Sequence, residues 1–133
     1  MRDKSLLTKL PPRMRIFLVE NHPDTLACVR RFLQRAGHEV DTAETVADAL
    51  RDLPTKPRDV LLTDLGLPDG NGWSLLEQLG DARPPLAIAM SGQCGPEDLA
   101  RSRAAGFQTH LIKPFLPEDL DRVLNLQPAP QTS

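Results

Sequence analysis

The sequence predicts an α/β domain, five βα units forming a doubly wound parallel sheet. Three observations predict it. Strand signals alternate with helix signals five times along the chain. The clearest strand candidates, Ile16-Phe17-Leu18-Val19 and Leu86 to Met90, are apolar on consecutive residues, as suits strands covered on both faces. The connections are short, as successive βα units in one sheet require. A length of 133 residues suits one domain around one core.

Each element has its own local reason. After Ile16–Val19, Pro23 and Asp24 open a first helix, proline suiting the first turn and the acid the helix dipole. Leu26, Val29, Phe32, Leu33 and Ala36 keep helical spacing, and Gly37 supplies the stop. Glu39 to Thr42 reads as a short strand around Val40. Thr45 with Asp48 three residues on reads as a capping box for a second helix carrying Val46, Ala49, Leu50 and Leu53, which ends before Pro54. Val60 to Thr63 is the third strand, and Trp73, Leu75, Leu76 and Leu79 form the third helix, stopped near Gly80. Leu86 to Met90 is the fourth strand. Pro96-Glu97-Asp98 opens a fourth helix and Gly106 closes it. Thr109 to Ile112 is the fifth strand, and Pro117-Glu118-Asp119 opens a fifth helix with Leu120, Val123, Leu124 and Leu126 on its apolar side. Residues 1–13, ending in Pro11-Pro12-Arg13, read as a flexible arm, and 127–133 as a disordered tail. The folded domain is expected over 14–126.

Composition narrows the function. Sixteen basic and eighteen acidic residues give a net charge of -2, which offers no electrostatic footprint for nucleic acid. Cys28 and Cys94 form no CxxC motif, so reduced thiols of a cytoplasmic protein are expected rather than a zinc or redox site. No apolar run approaches the ~20 residues of a membrane span, and the apolar stretch near the N-terminus is only Leu6-Leu7. A soluble protein is expected. His22 reads as a loop residue, His38 as exposed, and Trp73 as helix–sheet packing.

The strand ends carry the chemistry. In a doubly wound sheet of strand order 2-1-3-4-5 the first and third strands are neighbours at the switch point, where ligands bind. The first strand ends in Glu20-Asn21, the third in Asp64, the fourth in Ser91-Gly92, and the fifth in Lys113-Pro114. Asp64 leads into a loop containing Gly66, Pro68, Gly70 and Gly72. An acid at the end of a buried strand is costly to the core, because unpaired buried charge is penalised by several kcal/mol. Two carboxylates and an amide oxygen suit a hard cation such as Mg2+. A hydroxyl and an ammonium suit phosphoryl oxygens, and a carboxylate between them can be a nucleophile that forms an aspartyl phosphate.

These residues resemble the receiver domain of two-component response regulators. The resemblance rests on Phe17-Leu18-Val19-Glu20-Asn21, on Leu61 through Gly70, on Met90-Ser91-Gly92 and on Leu111-Ile112-Lys113-Pro114-Phe115, and it covers about 14–126. The wording is closest to receiver domains of hybrid sensor histidine kinases. The resemblance implies the flavodoxin-like (βα)5 fold with strand order 2-1-3-4-5, and a phosphoacceptor role for Asp64, charged from a phosphohistidine on a sensor histidine kinase or a histidine phosphotransfer protein. It implies Glu20, Asn21, Asp64 and the Gly66 carbonyl as the Mg2+ set. Ser91 matches the switch hydroxyl and Lys113 the family lysine, with a cis bond to Pro114. His110 stands where the family has an aromatic rotamer switch. The fourth helix, fifth strand and fifth helix would form the face for a downstream partner or a homodimer. Catalysis would be limited to Mg2+-dependent self-phosphorylation and self-dephosphorylation at Asp64.

One departure matters. The family has two acids after the first strand, and the second position here is Asn21. The acids fall from three to two, so weaker Mg2+ binding is expected. This motivates an alternative, a degenerate receiver that binds partners without phosphorylation. The seven residues of 127–133 are too few for an output domain, so signalling through protein contacts is expected. A flavin carrier would need a Ser/Thr/Gly-rich phosphate loop after the first strand, where Glu20-Asn21-His22-Pro23 stands. A phosphatase with an aspartyl nucleophile would want an acid two residues after Asp64, where Gly66 stands.

Overall fold

The computed structural model describes residues 13–92 and 95–125. The expected arm over 1–13 (Arg13 apart), the tail over 127–133 and Cys94 lie outside the described residues. The elements are β1 (Arg15–Val19), α1 (Pro23–Arg35), β2 (Glu39–Ala43), α2 (Val46–Asp52), β3 (Val60–Asp64), α3 (Gly72–Leu79), β4 (Leu86–Ser91), α4 (Pro96–Ala105), β5 (Thr109–Ile112) and α5 (Pro117–Leu124). Two features were not read from the sequence. Short 3-10 turns follow α2 and α3 at Leu53–Thr55 and Gly80–Ala82, and the loop after β3 forms a small antiparallel hairpin, Gly66–Leu67 against Gly70–Asn71.

The five main strands are all parallel, in the order β2-β1-β3-β4-β5. This is the predicted 2-1-3-4-5 sheet. Alternate side chains of each strand point to opposite faces, and the two faces bury separate cores. Phe17, Val19, Leu61, Ala87 and Ala89 meet α2, α3 and α4 through Val46, Ala49, Leu75, Leu76 and Ala105. Ile16, Leu18, Leu62, Ile88 and Met90 meet α1 and α5 through Val29, Leu33, Leu120 and Val123. All five residues of β3 are buried, which explains why its sequence shows no alternation. Among the described residues no helix is long and apolar enough to cross a membrane.

Local chemistry sets the helix ends. Thr45 Oγ1 accepts from Asp48 N–H at 3.0 Å, the expected cap of α2. Asn71 Oδ1 accepts from Ser74 N–H at 2.8 Å and starts α3 at Gly72. His38 is not exposed as expected but buried. Its Nδ1 accepts from Met14 N–H at 3.1 Å, satisfying a donor at the start of β1 that would otherwise lack an acceptor. Burial holds the His38 pKa below its usual value, against the pull of Asp121. Trp73 bridges two helices rather than helix and sheet alone: its Nε1 donates to Ser102 Oγ of α4 at 2.8 Å, and the Arg101 guanidinium stacks on its ring at 4.1 Å.

Gly106 ends α4 in the left-handed region at φ 116°, and a Cβ there would lie 2.0 Å from Arg83 Nη1. That guanidinium donates to Ala105 O at 2.9 Å, to Leu76 O at 3.3 Å and to Gly80 O at 3.1 Å, closing the ends of α3 and α4 together. Gly106→Ala therefore combines backbone strain with loss of this tie. A loss of about 1–3 kcal/mol is expected, read as a lower urea midpoint with an unchanged slope.

Candidate functional site

The parallel register brings the strand tips together. Val19 pairs with Thr63, so Glu20 and Asp64 follow side by side. Asp64 pairs with Met90 and Ser91 with Ile112, which brings Ser91 and Lys113 to the same edge. Behind Asp64 the chain turns tightly. Gly72 N–H donates to Leu65 O at 2.8 Å, and a Cβ on Gly72 would lie 2.7 Å from the Asp64 carbonyl oxygen. Glycine lets α3 begin directly against the backbone of Asp64.

Glu20 and Asp64 are 1% and 4% exposed, so two acids share a buried site. Lys113 Nζ bridges them, donating to Glu20 Oε1 at 2.7 Å and lying 2.6 Å from Asp64 Oδ1. The buried Asp64 Oδ1 is thus ion-paired with Lys113. Glu20 Oε2 accepts from His22 N–H at 3.0 Å.

These environments push the two acids apart. Burial, then the neighbouring Glu20, pushes the Asp64 carboxyl up to about 7, against the pull of Lys113. Burial also opposes the charge on Glu20, but hydrogen bonding with Asp64, Lys113 and the His22 N–H outweighs it and holds Glu20 below its usual range. Lys113 is raised: burial opposes its charge, and Asp64 and Glu20 overcome that.

All six residues predicted for the site, Glu20, Asn21, Asp64, Gly66, Ser91 and Lys113, line one cavity of about 950 Å3. Asn21 and Gly66 are at its exposed rim. The Lys113–Pro114 bond is cis, as expected. Ser91 Oγ lies 3.3 Å from His110 Nε2, so the hydroxyl and the imidazole are in contact. The His110 pKa is lowered by burial, with Asp98 of α4 acting in the opposite direction.

The cavity also has an apolar wall that the sequence reading did not assign to the site. Val29 and Phe32 of α1 line it together with Phe115 and Leu120, as does the exposed Cys28. Helical spacing marks Val29 and Phe32 as a buried stripe, but only the packing of α1 beside α5 turns that stripe toward Asp64.

The donors fit a hard cation. Two carboxylates, the Asn21 amide and Gly66 line one cavity, an oxygen-donor set of the kind such an ion takes. Among the described residues no three His, Cys, Asp or Glu side chains form such a group, so the set relies on the amide and the carbonyl.

Over residues 16–125 the chain matches the family described as the response regulator receiver domain. It is 33% identical over 100 residues to the transcriptional regulatory protein KdpE of Mycobacterium tuberculosis, covering 75% of this chain and 44% of that one. The chain thus spans less than half the length of that relative. Among solved structures it is similar to a CheY-like response regulator receiver domain protein from Methanospirillum hungatei, at 29% identity and TM-score 0.78, covering 84% of this chain and 90% of that one. It is also similar to the receiver domain of the sensor histidine kinase PA1611 from Pseudomonas aeruginosa, at 26% identity and TM-score 0.76, covering 85% and 95%. That structure has a magnesium ion coordinated in its active-site cleft.

Proposed function

The chain belongs to the response regulator receiver domain family of two-component signalling, and from that premise we propose that Asp64 is its phosphoacceptor. The observation that carries this reading is the convergence of Glu20 and Lys113 on Asp64 in a single cavity, with Lys113 Nζ within 2.7 Å of an oxygen of each acid. An ionised Asp64 oxygen attacks phosphorus in a phosphohistidine of a sensor histidine kinase or histidine phosphotransfer protein. The P–N bond breaks, and the imidazole leaves with the electron pair and takes up a proton. Lys113 offsets charge on the phosphoryl oxygens, and the Ser91 hydroxyl donates to one of them.

Glu20, Asn21, Asp64 and the Gly66 carbonyl are the residues that would hold Mg2+. Bound there, Mg2+ would supply charge neutralisation for the transferring phosphoryl group. The donor histidine must enter through the cavity mouth, so its protein contacts the apolar wall of α1 and Phe115. A downstream partner, or a second copy, is assigned to the face of α4, β5 and α5. Leu99, Ile112 and Leu116 on and beside these elements are 40%, 48% and 59% exposed.

The test is mass spectrometry after incubation with acetyl phosphate and Mg2+. A gain of one phosphoryl group, absent in Asp64→Ala, is expected. Asn21 favours a second reading, a receiver that signals without phosphorylation, because an exposed amide replaces a charged ligand. No gain at any Mg2+ concentration would decide for that reading.

A further inference from the structure

We propose that Asp69 is a positioning residue that holds in place the loop carrying Gly66, whose carbonyl would be a metal ligand. The inference rests on the metal reading of Gly66 above. The hairpin after β3 has only two residues in each strand, and Gly66, Pro68, Asp69 and Gly70 are exposed. Leu65 and Leu67 anchor the start of the loop in the core, and the exposed stretch around them needs a polar tie of its own. The clasp comes from Asp69, whose Oδ1 accepts from Val46 N–H at 2.7 Å and whose Oδ2 accepts from Ala47 N–H at 3.0 Å. These are the first two residues of α2, and such N–H groups have no acceptor inside their own helix. A carboxylate there is also favoured by the helix dipole. The two backbone bonds hold the Asp69 pKa below its usual range.

The loop also sits close to α2. A Cβ on Gly70 would lie 3.2 Å from Val46 Cγ2. Helix α2 is anchored in turn by Val46 and Ala49 in the core. The mechanical chain therefore runs from core to α2, to Asp69, to the hairpin and to Gly66. Helix α2 contributes no side chain to the cavity around Asp64, so it acts on the site through the loop, and Asp69 is its polar tie to that loop.

A plain helix cap would stabilise α2 and leave the metal untouched. Thr45→Ala provides that comparison, because it removes the Oγ1 cap of the same helix without touching the loop. Mg2+ affinity is measured by titration calorimetry with MgCl2, and backbone exchange of residues 66–71 is followed in metal-free protein. Asp69→Ala is expected to weaken Mg2+ binding at least about fivefold and to speed exchange across the loop. Asp69→Asn, which keeps one acceptor oxygen, should fall between Asp69→Ala and wild type. Thr45→Ala should lower stability and leave Mg2+ affinity within about twofold. Wild-type affinity in Asp69→Ala, or equal weakening in Thr45→Ala, would overturn the role. A wild-type protein that binds no Mg2+ would overturn the metal reading itself, and this inference with it.

Discussion

Asp64→Asn is expected to melt above the wild type at pH 8 without Mg2+, while taking up no phosphoryl group. The reason is the cost of two acids in one buried site. Asp64 titrates near 7 in the folded protein, against about 3.9 in an unfolded chain. Between these values the folded state binds more protons than the unfolded state, so stability falls as pH rises. The penalty is absent below about pH 4 and complete above about pH 7. A displacement of this size corresponds to about 4 kcal/mol at about 1.36 kcal/mol per pH unit. Glu20 is held low in part by the neighbouring Asp64, which offsets some of it. The net gain in Asp64→Asn is then about 1–3 kcal/mol, in line with the gains seen when buried charge is removed. In the variant Lys113 keeps its bond to Glu20 at 2.7 Å. Thermal melts at pH 5 and pH 8 check this. The gain should be larger at pH 8, and saturating Mg2+ should narrow it by stabilising the wild type. A variant no more stable than wild type at pH 8 would contradict the assigned cost.

This cost is the physical content of the site, and its parts were unequally legible in the sequence. Glu20, Asp64, Ser91 and Lys113 were readable because each ends or directly follows a strand, and parallel strands bring such ends to one edge. β3 and β4 were readable because burial on both faces removes polar residues from their runs. What the sequence hid depends on contacts between distant segments. Lys113 and Glu20 are 93 residues apart, and no spacing rule reports a bond across that interval. The apolar wall of the cavity needs α1 and α5 to lie on the same side of the sheet. His38 looked like a surface residue beside Gly37. It is buried against the start of β1, where its Nδ1 accepts from Met14 N–H. The hairpin after β3 was read as a plain loop, because two-residue strands rich in glycine leave no hydrophobic pattern. Asp69 went unread for the same reason, since its partners lie 22 and 23 residues earlier.

Asn21→Asp is expected to tighten Mg2+ binding about five- to tenfold and to speed phosphoryl uptake from acetyl phosphate. The substitution returns a charge to a site that holds two carboxylates and one ammonium. A unit charge about 4 Å from a divalent ion near a surface is worth several kcal/mol before solvation, and Asn21 is exposed, so most of that is screened. A remainder of about 1–1.4 kcal/mol gives the stated factor. The same argument predicts a cost without metal. A third carboxylate raises the repulsion already acting on Asp64, so metal-free Asn21→Asp should be less stable than wild type above about pH 7. Stability and affinity then move in opposite directions, which separates a charge effect from a general improvement in folding. Calorimetric titration with MgCl2 and melts in chelator test both halves. Unchanged affinity would show that the amide at position 21 does not limit the metal, and that a receiver of this kind works with two acids as well as with three.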